Sequence, residues 1–305
     1  MKKLSLILAL IGLTTLTGLS QTATAFFDSG FKKYENKDYT GAIADYDKCI
    51  SMDPKNADAY YNRGMAKYAL LRNDDAIADY SKSIELKPGV YDVYYNRGLC
   101  YFWKKEYKTA IIDFNISLSI KSDHALSYCY RGASQYYLAN DAEAKKDLTM
   151  SIGLNPNYAW SYYYRSLVKY AAADDNGAIE DLNNAIAKKT DDYLLYYQRG
   201  LSKYQLKDYN GALADFSMAI GLKPNHGASY TWRGSAYFAQ AKDQNAIQDF
   251  DKAIELNSSD SQAYHFRGLS KNYSGDKTGA CNDLKKANQL GYDKSKAEMD
   301  KLGCN

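Results

Sequence analysis

Residues 57–90 read ADAYYNRGMAKYALLRNDDAIADYSKSIELKPGV, and the chain returns to this pattern every 34 residues. Sliding the sequence by that period brings Arg63, Arg97, Arg131, Arg165, Arg199, Arg233 and Arg267 into one column. A glycine follows each of them except Arg165, which is followed by Ser166. One period earlier stands Gly30, preceded by Ser29 where the others have arginine. The eight units are 23–56, 57–90, 91–124, 125–158, 159–192, 193–226, 227–260 and 261–294. A fixed period of this length signals a stacked array of small units rather than one or two globular domains.

Within a unit numbered 1 to 34, position 4 is always aromatic, from Phe26 to Tyr264, and position 20 is always alanine, from Ala42 to Ala280. Position 24 is large: Tyr46, Tyr80, Phe114, Leu148, Leu182, Phe216, Phe250 and Leu284. Residues at 4, 8 and 12 fall on one face of a first helix, and those at 20, 24 and 28 on one face of a second. Polar turns such as Asn36-Lys37-Asp38 separate the two. The prolines Pro54, Pro88, Pro156 and Pro224 all stand at position 32, where a second helix has to end because proline cannot continue its hydrogen-bond ladder. The spacing thus predicts a helical hairpin per unit across 26–302, with no strand. A mid-helix glycine costs about 1 kcal/mol against alanine, so position 8 has to serve a close contact, expected with the alanine at 20.

This pattern resembles the tetratricopeptide repeat family, with its aromatic at 4, glycine at 8, alanine at 20, aromatic at 24 and proline at 32. The resemblance covers 26–294 and implies an all-α solenoid, a right-handed superhelix of eight 34-residue hairpins. Residues 295–305 have the spacing of a capping helix, with Ala297 and Leu302 inward and Gly303 as its stop.

Before the array lies a leader, residues 1–25. Lys2 and Lys3, an apolar run from Leu4 to Leu13, and Ala23-Thr24-Ala25 match a secretory signal with its cleavage site. The apolar run falls short of the roughly 20 residues a membrane span needs, so an exported protein, periplasmic or extracellular, with no span in the mature chain is expected. Loss of the two lysines takes the formal charge from +3 to +1, because 1–25 contains no acid. A nearly neutral chain lacks the basic footprint of a nucleic-acid binder.

Where the family pattern has leucine at 7, this chain has arginine, and every unit has aspartate at 23, from Asp45 to Asp283. Two readings compete: a row of cations on a ligand wall, or an interhelical ladder of guanidinium forks on carboxylates. Uniform recurrence favours the ladder. Asp45, with no arginine in its own unit, is expected to use Arg63.

The chemistry of an enzyme is missing. His124, His226 and His265 lie in different units, the first two in turns where a solvated ring is expected. No metal-ligand, phosphate-loop or EF-hand spacing occurs, and Asp74-Asp75, Asp174-Asp175 and Asp191-Asp192 sit at helix starts or turns, where a carboxylate favours the dipole. The reading is a non-enzymatic protein with no cofactor. Of the five cysteines, Cys49 and Cys100 hold positions for small core residues, and Cys281 and Cys304 could face each other and tether the cap.

In the family the first helices line a concave groove through positions 2, 5, 6, 9, 12 and 13, so the resemblance places a protein or peptide ligand there. The candidates are Tyr61, Asn62, Tyr95, Asn96, Trp103, Tyr130, Tyr137, Tyr163, Tyr164, Tyr197 and Trp232. Tyr130, Tyr163, Tyr164 and Tyr197 form the expected centre, and Asn62 and Asn96 are placed to bond an extended backbone. Tyr164 is expected to be a surface anchor and its neighbour Tyr162, at position 4, a core residue. Aromatic residues at 5 and apolar ones at 9 argue against a clamp for a C-terminal carboxylate. A tyrosine-lined groove also suits sugar rings, so glycan binding stands as the alternative to a partner protein.

Overall fold

The computed structural model describes residues 22–304; the leader up to residue 21 lies outside them. The described chain forms two compact units, 22–122 and 123–304. The first holds three hairpins, whose first helices are α1 (Ala23–Glu35), α3 (Ala57–Ala69) and α5 (Tyr91–Trp103) and whose second helices are α2 (Tyr39–Met52), α4 (Asn73–Leu86) and α6 (Tyr107–Ile120). The second holds five more. Its first helices are α7 (Ala125–Tyr137), α9 (Ala159–Ala171), α11 (Tyr193–Gln205), α13 (Gly227–Ala239) and α15 (Ser261–Tyr273). Its second helices are α8 (Asp141–Leu154), α10 (Asp175–Lys188), α12 (Tyr209–Leu222), α14 (Asp243–Leu256) and α16 (Lys277–Gln289), and the short α17 (Lys294–Leu302) closes the chain. First helices begin every 34 residues, and no strand occurs among the described residues.

The turn inside each hairpin has one geometry. Position 15 is left-handed in every unit, at Lys37, Leu71, Lys105, Ala139, Ala173, Lys207 and Ala241, with φ between 55° and 63°, and at Gly275, with φ 92°. Position 16 then caps the second helix, which starts at position 17. Asp38, Asp174, Asp208 and Asp276 accept from the backbone N–H of Gly41, Gly177, Gly211 and Gly279 at 2.8–3.0 Å. These glycines accompany the capping aspartates because a Cβ there would strike the carboxylate.

The alanines at 20 and the large residues at 24 are fully buried between the helices of each hairpin. The mid-helix glycine answers chiefly to position 24. A Cβ on Gly30, Gly64, Gly98, Gly200 or Gly234 would lie 2.7–2.9 Å from the ring of Tyr46, Tyr80, Phe114, Phe216 or Phe250. Where leucine replaces the ring, the expected backbone of position 20 is among the nearest atoms, with Ala144 O and Ala280 O each 3.1 Å from a Cβ on Gly132 and Gly268. The one unit with serine at 8, Ser166, is also a leucine unit, Leu182.

Cys281 and Cys304 are disulfide-bonded, with Cα atoms 5.4 Å apart. Gly303 stops α17 in the left-handed region, φ 65°. The inward residue of α17 is Ser295, not Ala297, which is exposed. Helix α16 ends one residue earlier than the other second helices, at a turn through Gly291 with φ 89°, and this changes the face that α17 presents.

Candidate functional site

The column at 7 and 23 is a ladder. Every arginine donates from Nε and Nη2 to both oxygens of the aspartate in its own hairpin, at 2.6–2.9 Å: Arg63 to Asp79 and Arg97 to Asp113 in the first unit, and in the second Arg131 to Asp147, Arg165 to Asp181, Arg199 to Asp215, Arg233 to Asp249 and Arg267 to Asp283. Each guanidinium also sits 5.2–5.9 Å from the ring of the tyrosine at position 4, the residue three places before it. The remaining Nη1 reaches back to position 25 of the preceding hairpin: Arg63 to Asp47, Arg97 to Ser81, Arg165 to Thr149, Arg199 to Asn183, Arg233 to Ser217 and Arg267 to Asp251. One side chain therefore ties three helices, and it is spent on the frame.

Asp45 corrects the expectation made for it. Its partners are Lys33 and Ser29, each at 2.6 Å, and Arg63 takes Asp47 instead. The fork of Arg63 is held by Asp79, so only Nη1 is left, and it points at position 25. Burial pushes the Asp45 carboxyl up, but the bonds from Lys33 and Ser29 outweigh it and hold it below its usual value. The lysine at 11 is a frame element that the sequence reading missed. Lys67, Lys169, Lys203 and Lys271 place a second cation on Asp79, Asp181, Asp215 and Asp283 at 2.7–3.0 Å. The signal was four-residue spacing from the arginine.

The face carrying first-helix positions 2, 5, 6 and 13 differs between the two units. In 22–122 it is polar and cross-braced. Asn96 Nδ2 donates to Tyr61 Oη and to the Asp92 carbonyl, both at 3.0 Å, so that amide is already used. Asn62 Nδ2 donates to the Asp58 carbonyl at 2.7 Å. Tyr95 packs on Phe114, their centroids 6.2 Å apart. Trp103 is 52% exposed, while its Nε1 donates to Tyr68 Oη at 2.8 Å. Asp28 and Asp92 add carboxylates to this face.

In 123–304 positions 2, 6 and 13 carry no charge, and aromatic residues recur among them at Tyr130, Tyr137, Trp160, Tyr164, Trp232, Phe266 and Tyr273. Tyr130 Oη lies 3.1 Å from Tyr158 Oη, and the Tyr130 ring is 6.3 Å from that of Tyr164. Tyr163 and Trp160 meet edge to face at 5.3 Å, and Tyr164 packs on both. Tyr164 is 5% exposed, so the expected surface anchor is a buried wall residue: Trp160 and Tyr163 cover it. Tyr162 is buried as expected. Tyr137 is 47% exposed and rests on Tyr136. Tyr197 packs on Phe216 and on His226, and Trp232 on Tyr204 at 5.2 Å. Trp160, absent from the candidates, belongs to this surface; position 2 signals it by changing from Asp58 and Asp92 to Leu126, Trp160 and Leu194.

The histidines also depart from expectation. His226 is held between Tyr193 and Tyr197, centroids 4.8 and 4.9 Å away, with Nδ1 2.8 Å from Ser229 Oγ. Burial and the nearby Lys223 lower its pKa. His124 likewise has Nδ1 2.8 Å from Ser127 Oγ. His265 is buried against Ser295, and burial pushes its pKa down to about 4. Buried Cys100 and Cys129 thiols are pushed up to about 12, far from thiolate reactivity. Among the described residues no three metal-ligating side chains gather, and no helix is long and apolar enough to cross a membrane.

Comparison with known proteins agrees with this geometry. Models described as TPR repeat and tetratricopeptide repeat match residues 32–70, 57–89 and 227–260, and one described as the ETO1 C-terminal domain matches 102–229. No curated protein matches the chain. A tetratricopeptide repeat protein from Parabacteroides merdae superposes with a TM-score of 0.63 at 18% identity, over 82% of this chain and 99% of its own. The C-terminal part of a repeat protein from Cytophaga hutchinsonii gives 0.57 at 21%, over 76% and 95%. The APC/C hetero-tetramer Cut9–Hcn1 gives 0.67 at 15%, over 94% of this chain and 57% of that one. The chain belongs to the tetratricopeptide repeat family, and its fold is that of a protein–protein interaction scaffold.

Proposed function

We propose that this protein is an exported, non-enzymatic scaffold that holds a peptide segment of a partner protein along the first-helix face of residues 123–304. One observation carries the reading: in that stretch no residue at positions 2, 6 or 13 is charged, whereas aromatic residues recur there irregularly. The ladder and the burial of positions 20 and 24 recur without this variation, although Tyr164, Trp232 and Phe266 also pack on the hairpins. Tyrosine and tryptophan supply large contact area at low entropy cost, which suits a docking surface. The Cys281–Cys304 bond and the leader-like residues 1–25 support export, because disulfides persist in oxidising compartments.

Tyr137, 47% exposed, is the anchor to test. Tyr137→Ala should weaken capture of a partner peptide roughly thirtyfold, about 2 kcal/mol, and leave the melting temperature unchanged. The measurement is titration of a labelled peptide library in parallel with envelope polysaccharide. Binding of polysaccharide alone would favour the glycan alternative; full peptide affinity in the variant would remove this face from consideration. N-terminal sequencing of the mature protein checks export. Cleavage after Ala25 would also remove Thr22, whose Oγ1 accepts from Ala25 N at 3.2 Å and caps α1.

A further inference from the structure

Helix α17 is poorly equipped to stay in place by packing. It is nine residues long, Asp293 before it makes no capping bond, and Ser295 is its one buried residue. Isolated helices of that length are marginal in water. Helix α9, which likewise follows a second helix, buries seven residues. Two ties hold α17. Ser295 Oγ lies 2.9 Å from His265 Nδ1, with the Tyr292 ring 4.5 Å from the same imidazole, and Cys304 beyond its C-terminus is bonded to Cys281 of α16. Beneath it lie His265, 5% exposed, and Phe266.

We propose that α17 is a disulfide-latched plug on an end face shaped to take an amphipathic helix, and that reduction by a dithiol releases it and opens that face to a partner's helix. The occupant class is read from α17 itself: a helix that places a small hydroxyl over His265 and turns its lysines outward. Both cysteines are half-buried, so a reductant can reach them. A dithiol thiolate attacks one sulfur, the S–S bond breaks and the other cysteine leaves as thiolate. The second thiol of the reductant then closes on the mixed disulfide. Two electrons pass to the protein, Cys281 and Cys304 end as thiols, and the dithiol ends as a cyclic disulfide.

The test uses the full chain before and after dithiothreitol, with free thiols counted. Amide exchange in α17 should quicken at least tenfold on reduction while α7 to α14 are unchanged. The His265 pKa, followed by NMR, should climb from about 4 toward the ordinary value near 6.5. A labelled peptide of residues 291–303 should bind the reduced chain, and the Cys281→Ser/Cys304→Ser variant, but not the oxidised chain. Unchanged α17 exchange after full reduction would overturn the latch. So would loss of protection in α15 and α16 together with α17, which is how a staple of the whole end behaves. Release without peptide binding would overturn the docking face. His265 and Phe266 also stand at positions 5 and 6 of α15, at the far end of the first-helix face, whereas the Tyr137 test reads α7, so failure of the latch and failure of the proposed function are distinguishable.

Discussion

Residues 22–122 and 123–304 are made from the same hairpin, with the same ladder and the same left-handed turn, yet they present different first-helix faces. The first unit offers carboxylates, braced asparagines and one half-exposed indole; the second offers uncharged aromatic wall. The comparison separates two demands on one sequence. Positions 4, 7, 8, 20, 23 and 24 are bound by contacts that recur in most hairpins, so they vary little, the departures being Ser29 at 7 and Ser166 at 8. Positions 2, 6 and 13 meet no such recurring partner, and there the two units diverge; an aromatic residue at 5 packs on the ring at 24 in both units.

If the frame is common to both units, breaking it should cost the same in each. Asp113→Ala and Asp181→Ala each leave a partly buried guanidinium without its carboxylate, and each should cost about 3–5 kcal/mol, measured by denaturant unfolding of its own unit. A large cost in one and none in the other would break the comparison.

The faces should separate where the frames do not. Tyr164→Ala removes a buried ring and is expected to cost about 3 kcal/mol, while Asn62→Ala, a half-exposed side chain, should fall within about 0.5 kcal/mol of zero. Equal effects would mean that the face of 22–122 is as much a packing element as that of 123–304.

Acid should also act unequally. All three histidines lie in 123–304. His265 is held neutral when folded, with its pKa near 4 against about 6.5 unfolded. A depressed histidine stabilises the fold above its unfolded pKa, and that contribution is lost as pH falls from about 6.5 to about 4, because the unfolded chain then binds the extra proton. About 2 kcal/mol should disappear from the stability of the C-terminal hairpin over that window, with His265→Gln flattening the profile.

The smallest effect should again be shared. Leu71 is 84% exposed and, like Ala139, left-handed at position 15. Leu71→Gly and Ala139→Gly should each stabilise by about 1 kcal/mol, read as a rise in melting temperature, by relieving the Cβ clash of that conformation. A loss in either would show that its side chain contributes more than its backbone costs.

The sequence by itself determined the hairpins, their boundaries and the pairing of arginine with aspartate. These follow from helical register, which places positions 7 and 23 opposite each other in each unit whatever the neighbours are. The possible meeting of Cys281 and Cys304 was also visible from register, but whether they bond depends on how α17 is seated. What only the tertiary structure decided is how each variable side chain is spent. Tyr164 is covered by Trp160 and Tyr163, Asp45 is taken by Lys33 and Ser29, five of the mid-helix glycines meet a ring at 24 first, and Ser295 instead of Ala297 faces inward. Each outcome depends on which atoms of another helix arrive first, and a periodic pattern records the face a residue occupies without recording what has already filled the space above it.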